Sequence, residues 1–288
     1  MNKVKLVSLL VILFLPFNLY SQITDINNYV ENRALEIEDE VIEWRRHFHQ
    51  NPELSNREYE TGSFIAEYLK SLGLDVQTGV AHTGVVGILK GAKPGPVVAL
   101  RADIDALPVK ERTPVAFAST TTGVYRGEEV PVMHACGHDT HIAMLMGAAK
   151  ILTELKDEIN GTIKFIFQPA EEGAPEGEEG GAELMVKEGV LKNPDVDAIF
   201  GIHISDDTPV GKIEYRPEGI MASVNSFTID IKGKQAHGSR PWTGVDPIVT
   251  GAQIVNNIQT IVSRSMPLTE KAAVVTVGEF EVGVRSNI

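Results

Sequence analysis

The chain has 288 residues, and its 39 acidic and 26 basic side chains give a formal net charge of −13. A hydrophobic fraction of 43% and a charged fraction of 23% are typical of a folded globular protein and argue against a disordered one. The acidic excess argues against a nucleic-acid or anionic-membrane partner, because such a surface needs clustered positive charge. No apolar run after residue 20 is long enough to span a bilayer.

The first 21 residues have the layout of a secretory signal peptide. Lys3 and Lys5 form a basic start, residues 6–19 are largely apolar, and the small residue Ser21 precedes a polar segment. An uncleaved membrane anchor is the alternative interpretation. We expect an exported protein, periplasmic or secreted, that is cleaved near residue 21 and makes no membrane contact afterwards.

Helical and strand patterns alternate over residues 22–219. Periodicity predicts helices over residues 39–49, 61–72, 139–155 and 182–188. Gly73 stands where the second helix needs a C-terminal cap. Short apolar runs predict buried strands over residues 85–89, 97–100, 162–167 and 198–202. The glutamate-rich stretch 171–183 is predicted to be an acidic loop. This alternation indicates a first domain of the α/β class.

The pattern changes from about residue 220. Residues 225–231 alternate as a half-exposed antiparallel strand does, and residues 272–277 read as a further strand. Between them, Asp246 and Pro247 provide the N-cap and first turn of a helix with one apolar face. We therefore predict a second, smaller domain over residues 220–288. Because no closing helix or polar tail follows that last strand, we expect a sequence that is cut short at its C-terminus.

Residues able to bind metals follow the predicted strands or precede a helix. They are Asp103 and Asp105, Cys136 and His138, Glu171 and Glu172, and His203. Ligands bind at the carboxyl ends of strands in open α/β sheets, so these side chains are expected to converge. A thiolate with imidazoles and carboxylates suits Zn²⁺ or a neighbouring transition ion, and does not suit Mg²⁺ or Ca²⁺.

Each of these residues also has a simpler interpretation. A lone cysteine such as Cys136 is usually a small buried hydrophobe, and a glutamate pair is usually a solvated surface. A lone cysteine, clustered histidines and a glutamate pair all lie beside strand ends, and this coincidence favours a metal site. One glutamate of the pair can bind metal while the other takes a proton from water. Asp103, Asp105 and Asp139 could orient ligand imidazoles.

The remaining histidines of the first domain have weaker context. They are His47, His49 and His82, predicted to be surface or packing residues, and His134 and His141, predicted to pack or to support the loop.

Three longer motifs occur in a fixed order. They are Leu-Arg-Ala-Asp-Ile-Asp-Ala-Leu-Pro at 100–108, Met-His-Ala-Cys-Gly-His-Asp at 133–139 and Phe-Gln-Pro-Ala-Glu-Glu-Gly at 167–173. Shorter ones are Gly-Ile-His at 201–203, Gly-Lys-Gln-Ala-His-Gly at 233–238, Gly-Val-Asp-Pro-Ile at 244–248 and the terminal Asn-Ile. From about residue 41 to its end, the chain resembles the M20 metallopeptidase family. The resemblance is strongest to its amidohydrolase branch of aminoacylases, hippurate hydrolases and auxin-conjugate hydrolases.

The resemblance implies a zinc-peptidase-like catalytic domain with a central mixed β-sheet flanked by helices. It also implies a smaller α+β (ferredoxin-like) lid domain through which a homodimer forms, and two divalent metal ions (Zn, Mn or Co) per subunit. By motif position, Cys136, His138, Glu172 and His203 would be metal ligands. Glu171 would be the general base that activates a water and later protonates the leaving amine. His237 would stabilise the oxyanion, in this family often from the partner subunit, and Asn287 would lie near the substrate.

Two departures from the family pattern carry expectations. Trp242 stands where many relatives have a second histidine, which is expected to change substrate preference. The family's final ligand histidine lies beyond the position that matches Ile288, so the second metal is expected to bind weakly.

The sequence thus predicts an exported metal-dependent amidohydrolase that cleaves the amide bond of N-acyl amino acids or similar small conjugates. One alternative is a truncated, inactive remnant that binds metal or dimerises. The other is a dipeptidase or carboxypeptidase of the same family.

Overall fold

The structure is a computed structural model that describes residues 25–267, 269, 272–283, 285 and 287. The predicted signal peptide and its cleavage point lie outside these residues. Two compact units divide the chain, Met1–Thr208 and Pro209–Ile288. The division falls N-terminal to residue 219, where the change of sequence pattern had suggested the domain boundary.

The first unit has a mixed sheet with helices on both faces. Its helices are α1 (Ile26–Glu36), α2 (Glu38–Gln50), α3 (Tyr59–Ser71), α4 (His138–Glu154) and α5 (Gly181–Lys187). Its strands are β1 (Asp75–Val80), β2 (Gly84–Lys90), β3 (Lys93–Asp103), β4 (Thr122–Tyr125), β5 (Glu128–Pro131), β6 (Asn160–Gln168) and β7 (Ala198–Gly201). The strands β4 and β5 form a separate hairpin. The α/β class and the mixed sheet expected from the resemblance are confirmed.

The order of the main sheet is β1-β2-β6-β3-β7. The central strand β3 runs parallel to both β6 and β7, whereas β2 is antiparallel to β1 and β6. In this register Asp103 lies opposite Gln168, and Arg101 lies opposite Gly201. The carboxyl ends of three parallel strands therefore meet at one edge of the sheet, where the chemistry was predicted.

The two faces of the sheet bury separate apolar clusters, because side chains alternate along a strand. Phe165 and Phe167 belong to the larger cluster, with side chains from α2, α3 and α4. Ile166 belongs to the other cluster, with Leu184 and Met185 of α5. This packing holds the start of α4 on one face and the segment before α5 on the other.

The predicted helices and strands of this unit are present with shifted bounds. The cap at Gly73 is confirmed: its φ is 78°, its N–H donates to the carbonyl of Lys70, and the N–H of Leu74 donates to the carbonyl of Leu69. The sequence analysis missed α1, β1 and the β4–β5 hairpin. These elements are short or mostly exposed, so they carry little apolar periodicity.

The second unit contains the helix α6 (Pro247–Thr260), as predicted. The carboxylate of Asp246 accepts hydrogen bonds from the N–H groups of Ile248 and Val249, and Pro247 occupies the first turn. The predicted strands over residues 225–231 and 272–277 are wrong: the described residues there are not strands.

A physical reason for that error lies in the strand prediction itself. Alternation of polar and apolar residues predicts a strand only if a neighbouring strand completes its hydrogen bonds. Among the described residues of this unit, the backbone contacts between distant segments join Lys234 to Val245 and Gly238 to Asn287. The ferredoxin-like form of this unit therefore stays a prediction. Within the described part of the chain, no helix has the length and apolarity that crossing a membrane would require.

Candidate metal centre

Cys136, His138 and His203 come together beside the ends of the parallel strands. One possible ligand atom from each lies within 4.8 Å of the others. The Sγ of Cys136 is 3.4 Å from Nε2 of His203. Gly137 between the first two residues is the N-cap of α4 and has a φ of 83°, a conformation that glycine adopts without strain.

Three carboxylates lie around one ring nitrogen of His138. Its Nε2 is 3.7 Å from Asp103, 3.8 Å from Glu171 and 3.8 Å from Glu172. These distances are too long for hydrogen bonds, and this buried nitrogen has no hydrogen-bond partner among the described residues. The other ring nitrogen, Nδ1, is 2.9 Å from the carbonyl oxygen of Asp105.

These residues fit a soft divalent cation. Tetrahedral zinc bonds of about 2.3 Å to sulfur and about 2.0 Å to nitrogen place such ligand atoms roughly 3.5 Å apart. The separation of Cys136 and His203 matches that spacing. A buried imidazole nitrogen without a partner, facing three carboxylates, is the arrangement that a cation would satisfy.

The pKa values of the site residues also favour a bound cation. Burial and then the neighbouring Glu172 raise the pKa of the Cys136 thiol to about 12, so a nearby cation is needed to stabilise its thiolate. Burial acts to lower the pKa of His138, but Asp105 and Asp103 outweigh it and raise the value to about 8. Burial, followed by the charge of Asp103, raises the pKa of the Glu171 carboxyl.

A second set of contacts holds the carboxylates. Asp103 contacts Nδ1 of His141 at 2.5 Å and accepts from Arg101 at 2.6 Å. Burial acts to raise its pKa, but these two partners outweigh burial and lower the value to about 2. The carboxylate of Asp105 accepts from the hydroxyl of Ser55 at 2.7 Å and from the N–H of Glu172 at 3.0 Å.

Comparison with known proteins identifies the family. A family model described as peptidase family M20/M25/M40 matches residues 99–282, which is more than half of the chain. The chain belongs to this family.

Curated relatives extend the match beyond that model. Thermostable carboxypeptidase 2 of Saccharolobus solfataricus is 45% identical over 265 residues, covering 92% of this chain and 64% of the relative. The N-acyl-L-amino acid amidohydrolase of Geobacillus stearothermophilus is 44% identical over 253 residues, covering 88% of this chain and 64% of the relative. The chain thus spans just under two thirds of the length of these relatives.

Two solved structures agree with the fold. An aminohydrolase, described as putative, from methicillin-resistant Staphylococcus aureus matches with a TM-score of 0.71 at 37% identity, covering 91% of this chain and 66% of that one. The YXEP protein of Bacillus subtilis, described as a dinuclear metal-binding peptidase from the M20 family, matches with a TM-score of 0.54 at 42% identity. That match covers 62% of this chain and 46% of that one.

Asp139, His237 and Asn287 are the remaining predicted site residues. The Oδ2 of Asp139 contacts Arg45 at 2.8 Å and His49 at 2.9 Å, and its Oδ1 has no hydrogen-bond partner among the described residues. His237 and Asn287 belong to the second unit, where the N–H of Gly238 donates to the carbonyl of Asn287 at 3.0 Å. The Nδ1 of His237 accepts from the backbone N–H of Ser239.

Sequence reasoning missed several supporting residues. His49 was predicted to be a surface or packing residue, but it is buried with Nδ1 at Asp139 and Nε2 at Glu111. Ser55 and Glu58 carried no recognisable signal either. Glu58 is fully buried, and its carboxylate accepts from the hydroxyl of Thr83 and the N–H of Ala170.

A cavity of about 550 Å³ adjoins the cluster. It is lined by Cys136 and His203 and also by Arg45, Val115 and Phe117. Its volume is in the range of small-molecule sites, and its lining mixes apolar and polar groups as such sites do.

Gly137→Ala should disturb the cluster more than a matched substitution elsewhere. Gly73 is the control, because its φ of 78° is similar but an added Cβ would meet nothing within 4 Å, whereas at position 137 it would lie 2.1 Å from Cδ1 of Ile204. Left-handed strain should cost each variant about 1–2 kcal/mol in urea unfolding. Titration with Co²⁺ should show weaker binding only for Gly137→Ala. Equal Co²⁺ affinity in the two variants would show that a glycine at position 137 is not needed for the metal cluster to form.

Glu58 should make stability depend on pH. Burial raises the pKa of its carboxyl from 4.5 to about 7, although the bonds from Thr83 and Ala170 act against burial. The folded state therefore holds a proton that the unfolded state releases, and the free energy of unfolding should fall by up to about 3 kcal/mol as the pH rises from 4.5 to 7.

Glu58→Gln should lack that fall, so its stability relative to the unsubstituted chain should rise with pH in denaturant titrations between pH 5 and 8. Glu60→Gln, at an exposed position of α3, controls for the loss of one negative charge. The prediction would be wrong if the difference in the free energy of unfolding between Glu58→Gln and the unsubstituted chain stayed constant with pH.

Proposed function

We propose that this chain is a metal-dependent amidohydrolase that cleaves the amide bond of N-acyl amino acids or similar small conjugates. The observation that carries the proposal is the buried, unpaired Nε2 of His138, which faces three carboxylates beside the Cys136–His203 pair. Family membership supports the reaction class, since both the carboxypeptidase and the amidohydrolase relatives are named for such cleavage.

Cys136, His138, Glu172 and His203 would hold divalent metal, with Zn, Mn and Co as the candidates and two ions as the expected number. The description of the related YXEP protein as dinuclear supports that number. Ions in such a site polarise the amide carbonyl and make a nearby water more acidic.

Glu171 would act as the general base. Its side chain is about one third exposed and its Oε2 lies 3.8 Å from Nε2 of His138, so water can reach it. The raised pKa of its carboxyl brings it closer to the working pH, which favours proton transfer. Glu171 then takes a proton from the attacking water and gives it to the leaving amine nitrogen.

The remaining roles rest on motif position. His237 would donate a hydrogen bond to the oxyanion, and Asn287 would contact the substrate. A homodimer through the second unit and export directed by residues 1–21 are also proposed. The basic start and apolar stretch of those residues support export.

A carboxypeptidase is the second candidate, because the thermostable carboxypeptidase relative is as similar as the amidohydrolase, at 45% against 44% identity. Both candidates cleave an amide bond next to an amino acid and differ in the group on the acyl side. Side-by-side kcat/KM values for N-acetyl, N-benzoyl and dipeptide forms of the same amino acids separate them. A preference for dipeptides would favour the second candidate.

The two adjacent glutamates should respond differently to substitution. Glu171→Gln should lower kcat by 10²–10⁴-fold, as loss of a general base does, while the bound metal measured by elemental analysis stays nearly unchanged. Glu172→Gln should lower both kcat and the amount of bound metal.

Glu176→Gln is the matched control, because this glutamate is exposed in the same acidic loop. It should leave both quantities unchanged. Retained turnover in Glu171→Gln would remove that residue from the proposed role.

A further inference from the structure

The two candidate catalytic glutamates follow β6 directly, and the turn that presents them has an unusual backbone. Ala170, the residue before Glu171, has a φ of 48°. That left-handed conformation is rare for a residue with a Cβ and persists only where the surroundings impose it. The direction of both glutamates depends on it, because they follow Ala170 in the chain.

Glu58 contacts the backbone of this turn. Its Oε1 accepts a hydrogen bond from the N–H of Ala170 at 2.9 Å, and its Oε2 accepts one from the hydroxyl of Thr83 at 2.6 Å. On the other side of Ala170, the carbonyl oxygen would be only 2.8 Å from a Cβ at Gly181. The N–H of Ala170 is therefore held by Glu58, while its carbonyl lies so close to Gly181 that no side chain would fit there.

The burial of Glu58 needs an explanation of its own. The residue is fully buried, and among the described residues no cation forms an ion pair with it. A buried carboxylate of this kind is costly, and an apolar residue would pack here at lower cost unless the two accepted hydrogen bonds serve a purpose. Those bonds are made to the turn before Glu171 and to Thr83, which precedes β2.

The same short segment of chain also supports the glutamates from a second direction. Ser55, three residues before Glu58, donates to Oδ2 of Asp105 at 2.7 Å. That same oxygen accepts the N–H of Glu172 at 3.0 Å. The N–H groups of the residues before and after Glu171 are thus bound by the carboxylates of Glu58 and Asp105, and Ser55 and Glu58 of one short segment take part in both contacts.

We propose that Glu58 is a positioning residue, whose carboxylate holds Ala170 in the left-handed conformation and thereby directs Glu172 toward the metal and Glu171 toward the water. The inference rests on the proposed function, because it assigns Glu58 a role only through those two glutamates. It does not make Glu58 a ligand or a base.

The test uses the full chain and measures Co²⁺ affinity by absorption titration, together with thermal unfolding. Glu58→Met keeps a similar volume but accepts no hydrogen bond, and should weaken Co²⁺ binding at least tenfold, as loss of an outer-shell partner does. Glu58→Gln retains an acceptor for Ala170 and should stay within about threefold of the unsubstituted chain.

Thr83→Val is the matched control, because it removes the bond to the other oxygen of the same carboxylate. It should lower the melting temperature but leave Co²⁺ affinity within about threefold. If Glu58→Met does not fold, Glu58→Asp is measured instead, since its shorter side chain keeps the charge but cannot reach both donors. Glu58→Asp should also weaken Co²⁺ binding.

Two results would overturn the proposal. One is a folded Glu58→Met or Glu58→Asp variant whose Co²⁺ affinity is unchanged. The other is a loss of Co²⁺ affinity in Thr83→Val as large as that in the Glu58 variant. Such a result would indicate general destabilisation. Hydrolysis of N-acetyl amino acids is assayed separately. An unsubstituted chain that binds Co²⁺ without hydrolysis would reject the proposed function while leaving the affinity comparison to decide the role of Glu58.

Discussion

Negative charge concentrated around one buried imidazole is the constraint on which the site depends. The carboxylates of Asp103, Asp105, Glu171 and Glu172 all have an oxygen within 3.8 Å of a ring nitrogen of His138. Two such charges 4 Å apart repel each other by about 4 kcal/mol near a protein surface. The fold brings them together because parallel strands end at the same edge of the sheet. A divalent cation would relieve this repulsion, and its binding would then also stabilise the fold.

The protein offsets part of this charge without a metal. Arg101 pairs with Asp103, and Arg45 pairs with Asp139 at the start of α4. Ser55 and the N–H of Glu172 donate to Asp105. These partners all bind the Oδ2 atoms of the aspartates, whereas the Oδ1 of Asp105, 3.3 Å from Nδ1 of His138, has no hydrogen-bond partner among the described residues. The supporting contacts therefore define where a cation is still needed.

Much of this arrangement follows from local sequence signals. The runs that became β3, β6 and β7 are short, apolar and bounded by turn residues, so the residues at their carboxyl ends were predicted to converge before any contact was known. Only the resemblance to a family divided the roles between Glu171 and Glu172.

Contacts between residues far apart in the chain could not be predicted in the same way. Glu58 and Ala170 are separated by 112 residues, and His49 and Asp139 by 90. Nothing in either neighbourhood indicates the other, because burial of a glutamate or a histidine depends on the whole fold. In the second unit a strand was predicted that the structure does not have. Residues 225–231 alternate as a strand does, but alternation does not supply a partner strand.

The adjacent glutamates acquire different surroundings although they share one turn. The N–H of Glu172 is held by Asp105, and its carboxylate lies near enough to Cys136 to raise the pKa of the thiol. Both carboxylates lie 3.8 Å from Nε2 of His138, but the charge of Asp103 helps to raise the pKa of Glu171, and the side chain of Glu171 is more exposed, at 33% against 22%. A ligand must lie among other ligands, whereas a base must reach solvent-derived water. The asymmetry of the turn therefore supports the proposed roles of Glu172 as the ligand and Glu171 as the base.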